Sequence, residues 1–350
     1  MKQTWVTRVR RARHSFQALC LVLLSLGISS CDSGDLLDLA FDPPSRKTID
    51  VSKVGVNNFF VNPEFGSIDA QFGEIRNTLG LRFVRILLAW TDGVQSSPDG
   101  GRNYSFYDSI ISRIPPGVDV VVVLAHTPGW MTNSSNWTAG GGDPRSTFVE
   151  EWVRPTVRRY SNVPGIIAWE VWNEPDLTVV PSDTALGLTQ PANYADLLTK
   201  SFNVIRSEDP AALVVMAATQ SIQQNFPTNL NYNKDLQALG IENVTDVYNV
   251  HYYGTRFESV ITNNGVKDFL NGITKPIWVT ESGEQGPNNQ LAYVETAWPF
   301  LLEEIPGIQR FYYYQFGETT PLEVNYGLKT TDPSFPVSDL YVHLRQRAGN

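Results

Sequence analysis

The chain has 350 residues, 42% of them hydrophobic and 18% charged, with a formal net charge of −9. That length accommodates one large domain or two small ones with a sizeable core, and the composition excludes a disordered tail or a solvating acidic polymer. The acidic balance, with no Lys/Arg cluster beyond the leader and no Cys/His spacing of a zinc site, argues against nucleic acid as a partner and against a structural metal.

The first 30 residues carry Lys2, Arg8, Arg10, Arg11 and Arg13 and no acid. An uncharged run, Ala18–Ile28, follows. It falls short of the roughly 20 apolar residues that a membrane span needs, so the pattern reads as an export signal. Ile28-Ser29-Ser30-Cys31 resembles the lipobox of bacterial lipoproteins. The resemblance implies cleavage before Cys31, lipidation of its thiol and attachment to a bacterial membrane on the periplasmic or cell-surface side. Ordinary cleavage near Ser30, with Cys31 incidental, is the alternative. Cys20 lies inside the leader, so the processed chain would hold one cysteine and no disulfide. Residues 31–47 are acidic and contain proline, which reads as a tether. The expected organisation is therefore a signal over 1–30, a tether over 31–47 and one folded domain over 48–350.

From about residue 48 short apolar runs alternate with longer amphipathic ones, the pattern of βα units around a parallel sheet. Eight strands are predicted, at Val54–Phe60, Leu81–Trp90, Val118–His126, Ile166–Trp172, Leu213–Thr219, Val247–Tyr253, Pro276–Glu281 and Gln309–Phe316. Runs such as Val120-Val121-Val122-Val123-Leu124 imply burial on both faces. Tyr194, Leu197, Leu198, Phe202 and Ile205 fall on one helical face, with a stop near Asp209-Pro210. Thr147-x-x-Glu150 has the form of a capping box ahead of another helix. Eight such units in about 300 residues fit a single α/β domain, the (β/α)8 TIM barrel. A doubly wound open sheet is the rival, weakened because Val54-Gly55-Val56-Asn57-Asn58 is not a phosphate loop.

Barrel enzymes work at the C-terminal ends of their strands. There the sequence places Arg85 and Trp90 on strand 2, His126 and then Trp130 after strand 3, and Asn173-Glu174 after strand 4. His251 and Tyr253 close strand 6, Glu281 closes strand 7, and Tyr314 and Glu318 follow strand 8. Two carboxylates thus converge on one mouth. Adjacent Asn173 and Glu174 cannot both face inward from a regular strand, so a bulge or the end of the strand is expected there. Glu170 shares parity with Trp172 and is read as a supporting interior group.

Trp169-Glu-Val-Trp-Asn-Glu-Pro175 resembles the strand-4 signature of glycoside hydrolase clan A, and Trp278-Val-Thr-Glu-Ser-Gly283 resembles its strand-7 motif. The wording is closest to family 39, with family 5 next. The resemblance covers Val54 to Phe316 and implies a retaining glycosidase with Glu174 as acid/base and Glu281 as nucleophile. It also implies that Asn173, Arg85, His251 and Tyr253 serve the sugar or the nucleophile. His126, Trp90, Trp130, Tyr314 and Glu318 are further candidate sugar contacts. No metal or cofactor is implied, because two carboxyl groups suffice for double displacement. A transglycosylase would use the same residues, and a non-catalytic glycan-binding barrel would use the aromatics alone. One departure stands out: the strand-8 stretch Phe311–Glu318 has no Trp where many clan A enzymes place one beneath the sugar.

Overall fold

The computed structural model describes residues 44–348. The predicted leader, Cys31 and the tether as far as residue 43 lie outside the described residues. All eight predicted strands are present: β1 (Val54–Asn57), β2 (Phe83–Ala89), β3 (Asp119–Ala125), β4 (Ile166–Val171), β5 (Leu213–Met216), β6 (Tyr248–His251), β7 (Ile277–Ser282) and β8 (Ile308–Tyr313). They run parallel in the spatial order β5-β4-β3-β2-β1-β8-β7-β6, and a parallel bridge between Val215 and Val247 joins the outermost two. With helices between the strands, this is the (β/α)8 barrel expected. Several strands stop earlier than predicted, because the chain leaves the sheet for the loops that shape the mouth.

The helix after β4 spans Pro191–Glu208 and buries Tyr194, Leu197, Leu198 and Ile205, as the periodicity predicts. Phe202 instead lies at the edge of that face, under the Arg206 guanidinium at 4.9 Å. The helix ends at Asp209, whose carboxylate accepts the Trp169 indole N–H at 2.9 Å and ties the helix to β4. The capping box at Thr147 is not formed. The helix begins earlier, at Pro144, with Asp143 accepting from the Ser146 amide, and Thr147 is buried. Asp before Pro is the stronger start signal, since the carboxylate caps and proline already has the helical φ.

The barrel interior is layered. Phe83, Val121, Ala168, Val215, Val247, Trp278 and Tyr312 form one apolar layer, six of them on strands and Val247 immediately before β6. Gly55 of β1 completes it by having no side chain. A Cβ there would lie 2.6 Å from the Tyr312 ring and 2.8 Å from Phe83, so the aromatic neighbours require glycine. Side chains alternate along a strand, so the next inward layer toward the mouth falls two residues on. That layer includes Asn57, Arg85, Glu170, Asn249 and Thr280, all fully or nearly fully buried.

Candidate active site

Arg85 is the centre of the polar layer. Its Nε and one Nη donate to the two Glu170 oxygens at 2.8 Å each. The same Nη reaches Asn173 Oδ1 at 2.7 Å, and the other donates to Asn57 Oδ1 at 2.9 Å and Glu281 Oε1 at 2.6 Å. All five guanidinium N–H groups are thereby engaged, in the planar fork that only arginine offers. Asn249 donates to Glu170 at 3.0 Å, and Thr280 donates to Asn249 at 2.8 Å. The network is buried and complete, the condition under which buried charge is tolerated.

Thr280 and Glu281 are consecutive yet both serve this network. The register of β7 shifts against both neighbours at this point, and a bulge admits the extra inward residue. The chain solves the matching problem after β4 differently. The strand ends at Val171, and Trp172 and Glu174 adopt positive φ values of 77° and 46°. That turn lets Asn173 reach Arg85 while Glu174 meets His251, so the strand end expected there is found.

Glu281 accepts from Tyr253 Oη at 2.9 Å through its second oxygen. Burial pushes its carboxyl up, but the charges of His251 and Arg85 and the hydrogen bonds from Arg85 and Tyr253 outweigh burial and hold it below its ordinary value. Burial also pushes the Tyr253 hydroxyl well up, so it stays a donor. His251 Nδ1 lies 2.9 Å from Glu174 Oε1 and 3.7 Å from Glu281 Oε2. Burial disfavours the charged ring, yet Glu281 and the bond to Glu174 prevail and raise its pKa. Two residues past Glu174, Asp176 is pushed up to about 6, chiefly by burial, and accepts the Gln220 amide at 2.9 Å.

One ligand atom each from Glu174, His251 and Glu281 lies within 4.8 Å of the others. Such a trio has the composition of a cation site, but the Arg85 guanidinium already supplies positive charge against Glu281. The two carboxyl groups flank a cavity of about 200 Å³, also lined by Arg85, Asn173, His126, Tyr314, Phe59 and Val179. One carboxyl bonded to a histidine and another held as an anion, facing the same space, can do acid and nucleophilic work together.

The remaining sequence candidates divide. His126 and Tyr314 line the cavity, whereas Phe316, also in the stretch without a Trp, is fully buried. Trp90 is a correction. It is 0% exposed, stacked on Trp152 and bonded through its indole N–H to Gln95 at 3.0 Å, so no sugar reaches it. Trp130 packs edge-on against Trp90 at 5.2 Å and donates to the Gln95 carbonyl. Neither ring lines the cavity between the carboxyl groups. Glu318 accepts the Tyr326 amide at 2.6 Å and closes its own turn rather than facing that cavity. Phe59 and Val179 were not foreseen. Phe59 lies beyond the end of β1, and Val179 sits in an aperiodic loop, so neither carries a local signal.

A (β/α)8 barrel with a strand-4 Asn-Glu pair and a strand-7 Glu at one mouth defines a glycoside hydrolase of clan A. The model of the family described as Cellulase (glycosyl hydrolase family 5) matches residues 45–313, and the chain belongs to that family. The motif wording favoured family 39 over family 5, and the family model reverses that order. No curated protein matches the sequence. The fold is shared with a family 39 glycoside hydrolase from Bacteroides cellulosilyticus WH2, at TM-score 0.64 and 18% identity over 87% of this chain. This chain spans 64% of that enzyme's length. A monomeric beta-xylosidase from Caulobacter crescentus CB15 aligns at TM-score 0.60 and 17% identity, covering 87% of this chain and 69% of that one. The endo-1,4-beta-mannanase from Rhizomucor miehei aligns at 0.59 and 17% identity, covering 87% and 99% respectively.

Proposed function

We propose that the protein hydrolyses O-glycosidic, β-configured bonds in an oligo- or polysaccharide by double displacement with retention. The observation that carries this reading is the short gap between Glu174 and Glu281, whose nearest oxygens lie within 4.8 Å. Retention calls for carboxyl groups roughly 5–5.5 Å apart, whereas inversion needs about 6.5–9.5 Å to admit a water.

In the first step Glu281 attacks the anomeric carbon as the glycosidic C–O bond breaks, and Glu174 gives its proton to the leaving oxygen. In the second, Glu174 takes a proton from water as that water displaces Glu281 from the anomeric carbon. Arg85 and Tyr253 hold Glu281 anionic and aimed. His251 adjoins both carboxyl groups and is placed to follow the charge that moves between them. Asn173, fixed by Arg85, presents its free amide N–H toward the sugar.

Substituting Glu281→Gln lowers kcat by about 10³-fold or more, and the wild type is labelled at Glu281 by a 2-deoxy-2-fluoro aryl glycoside. Full activity of the variant on a substrate of the wild type, or inversion at the anomeric carbon, would sink the assignment.

We also propose that the chain is exported and anchored to a bacterial membrane through acylated Cys31. The support is the basic leader, the apolar run and the lipobox-like Ile28–Cys31. Metabolic labelling with an alkyne fatty acid tests it: Cys31→Ser abolishes label and releases the protein from membranes, and persistence of both overturns it.

A further inference from the structure

Among the groups that the two-carboxyl reaction does not use, one buried acid is directed at the cavity through another residue. Asp183 lies in a short helical segment, Pro181–Leu186, of the connection between β4 and the following helix. Its side chain is 5% exposed. Oδ1 accepts the Thr127 amide at 2.9 Å and the Thr127 hydroxyl at 3.0 Å, and Oδ2 lies 3.0 Å from His126 Nδ1. Next to it, Ser182 donates to the Thr127 carbonyl at 2.6 Å. The segment is thus clasped to the end of β3 just where His126, at a φ of 65°, turns its ring toward the cavity.

The chemistry of this contact has a direction. A carboxylate accepts only, and Asp183 already takes two donors on Oδ1. Its Oδ2 therefore fixes the proton of His126 on Nδ1. With its one ring proton on Nδ1, the imidazole offers the cavity an unprotonated Nε2, an acceptor with no protein donor among the hydrogen bonds of the described residues. Resting on the glycosidase reading above, we infer that Asp183 is a positioning residue that sets the hydrogen-bond sense of His126, so that the ring accepts from one sugar hydroxyl. The site thereby favours substrates that donate at that hydroxyl over those blocked or replaced there.

Asparagine at 183 separates this role from a structural one. Its Oδ1 still accepts from Thr127, but its NH2 faces His126 Nδ1, which must then accept, and the ring proton moves to Nε2. The sense toward the sugar inverts while the clasp stays. The measurement uses 4-nitrophenyl β-D-gluco-, manno-, galacto- and xylopyranosides. In the series cleaved fastest, each ring hydroxyl is replaced in turn by hydrogen and by fluorine, which accepts weakly and never donates.

In the wild type one position shows the steepest loss with fluorine, about tenfold or more in kcat/KM, and His126→Ala removes that position-specific loss. In Asp183→Asn the fluorine-to-hydroxyl ratio at that position rises about tenfold, with no change of ratio at the others. The inductive effect of fluorine on the reaction is common to both proteins and cancels in the comparison. Ratios that stay the same at every position, or fall together, overturn the proposal. If turnover is seen and Glu281→Gln abolishes it, that failure concerns Asp183 alone; no cleavage of any glycan or glycoside by the wild type removes both readings. Should Asp183→Asn not fold, ring ¹⁵N shifts of the wild type decide: His126, assigned through His126→Gln, shows the Nδ1–H tautomer, and an Nε2–H tautomer refutes the inference.

Discussion

Two adjacent layers inside the same barrel differ by only two residues along each strand. One step gives Phe83, Ala168, Val247 and Trp278, which fill space. The next gives Arg85, Glu170, Asn249 and Thr280, which bond one another and reach the Glu281 carboxylate. The backbone spacing of the two layers is the same, so the difference is entirely in side chains. The lower layer tolerates error in proportion to lost volume. The upper one fails when any member leaves a charge unpaired, because desolvated ions have no water to fall back on.

That contrast can be broken most sharply at Arg85. Lysine keeps the charge but offers three donors from a point rather than five in a plane, so Arg85→Lys lowers kcat/KM by about 10²–10³-fold. It also shows in the pH profile. The proposed mechanism requires Glu281 to be ionised, and its depressed pKa rests in part on Arg85. Weakening that contact raises the pKa, so the acidic limb of kcat/KM moves to higher pH. An unmoved limb would mean that Arg85 does not hold Glu281.

A paired comparison comes next. Glu170→Ala leaves Arg85 half-unpaired and costs about 3–5 kcal/mol in urea unfolding, with activity falling alongside. Val121→Ala in the lower layer costs about 2 kcal/mol and leaves kcat within a few-fold of wild type. Equal activity losses in the two variants would erase the distinction between the layers.

The smallest effect is at Asp176, whose carboxyl burial pushes up to about 6, well above the ordinary carboxylate range. A raised acid contributes stability that is present below its unfolded pKa and lost as pH rises through about 6. Asp176→Asn removes the ionisation and keeps the acceptor for Gln220. The variant is therefore more stable than wild type at pH 8, by on the order of 2 kcal/mol, and no more stable at pH 4. Thermal melts at the two pH values check this.

Much of this was legible in the sequence because it is written in local periods. The alternation of short apolar and longer amphipathic runs located all eight strands, and parity put Glu170 inside, where the structure pairs it with Arg85. The Asn-Glu and Thr-Glu-Ser motifs marked the mouth, where the two carboxyl groups are indeed brought together. Trp90 was misjudged because position at a strand end says nothing about whether later helices cover it, and Trp152 does. Asp183 was invisible for a related reason. It lies 57 residues from His126, in a stretch without period or motif, and only the folded loop discloses the contact.

The turn after β4 carries a further consequence. Trp172 and Glu174 are L-residues held in left-handed backbone conformations, each disfavoured by about 1–2 kcal/mol. The Trp172 and Glu174 amides bond the Leu124 and Ala218 carbonyls at 2.9 and 3.0 Å, so the turn that places the Glu174 carboxylate is held by its neighbours in the barrel. Glycine at 174 would relax the backbone and remove the carboxylate in one stroke. The same change would leave the buried His251 ring without its carboxylate partner, so at this corner backbone strain and side-chain pairing are held by one residue.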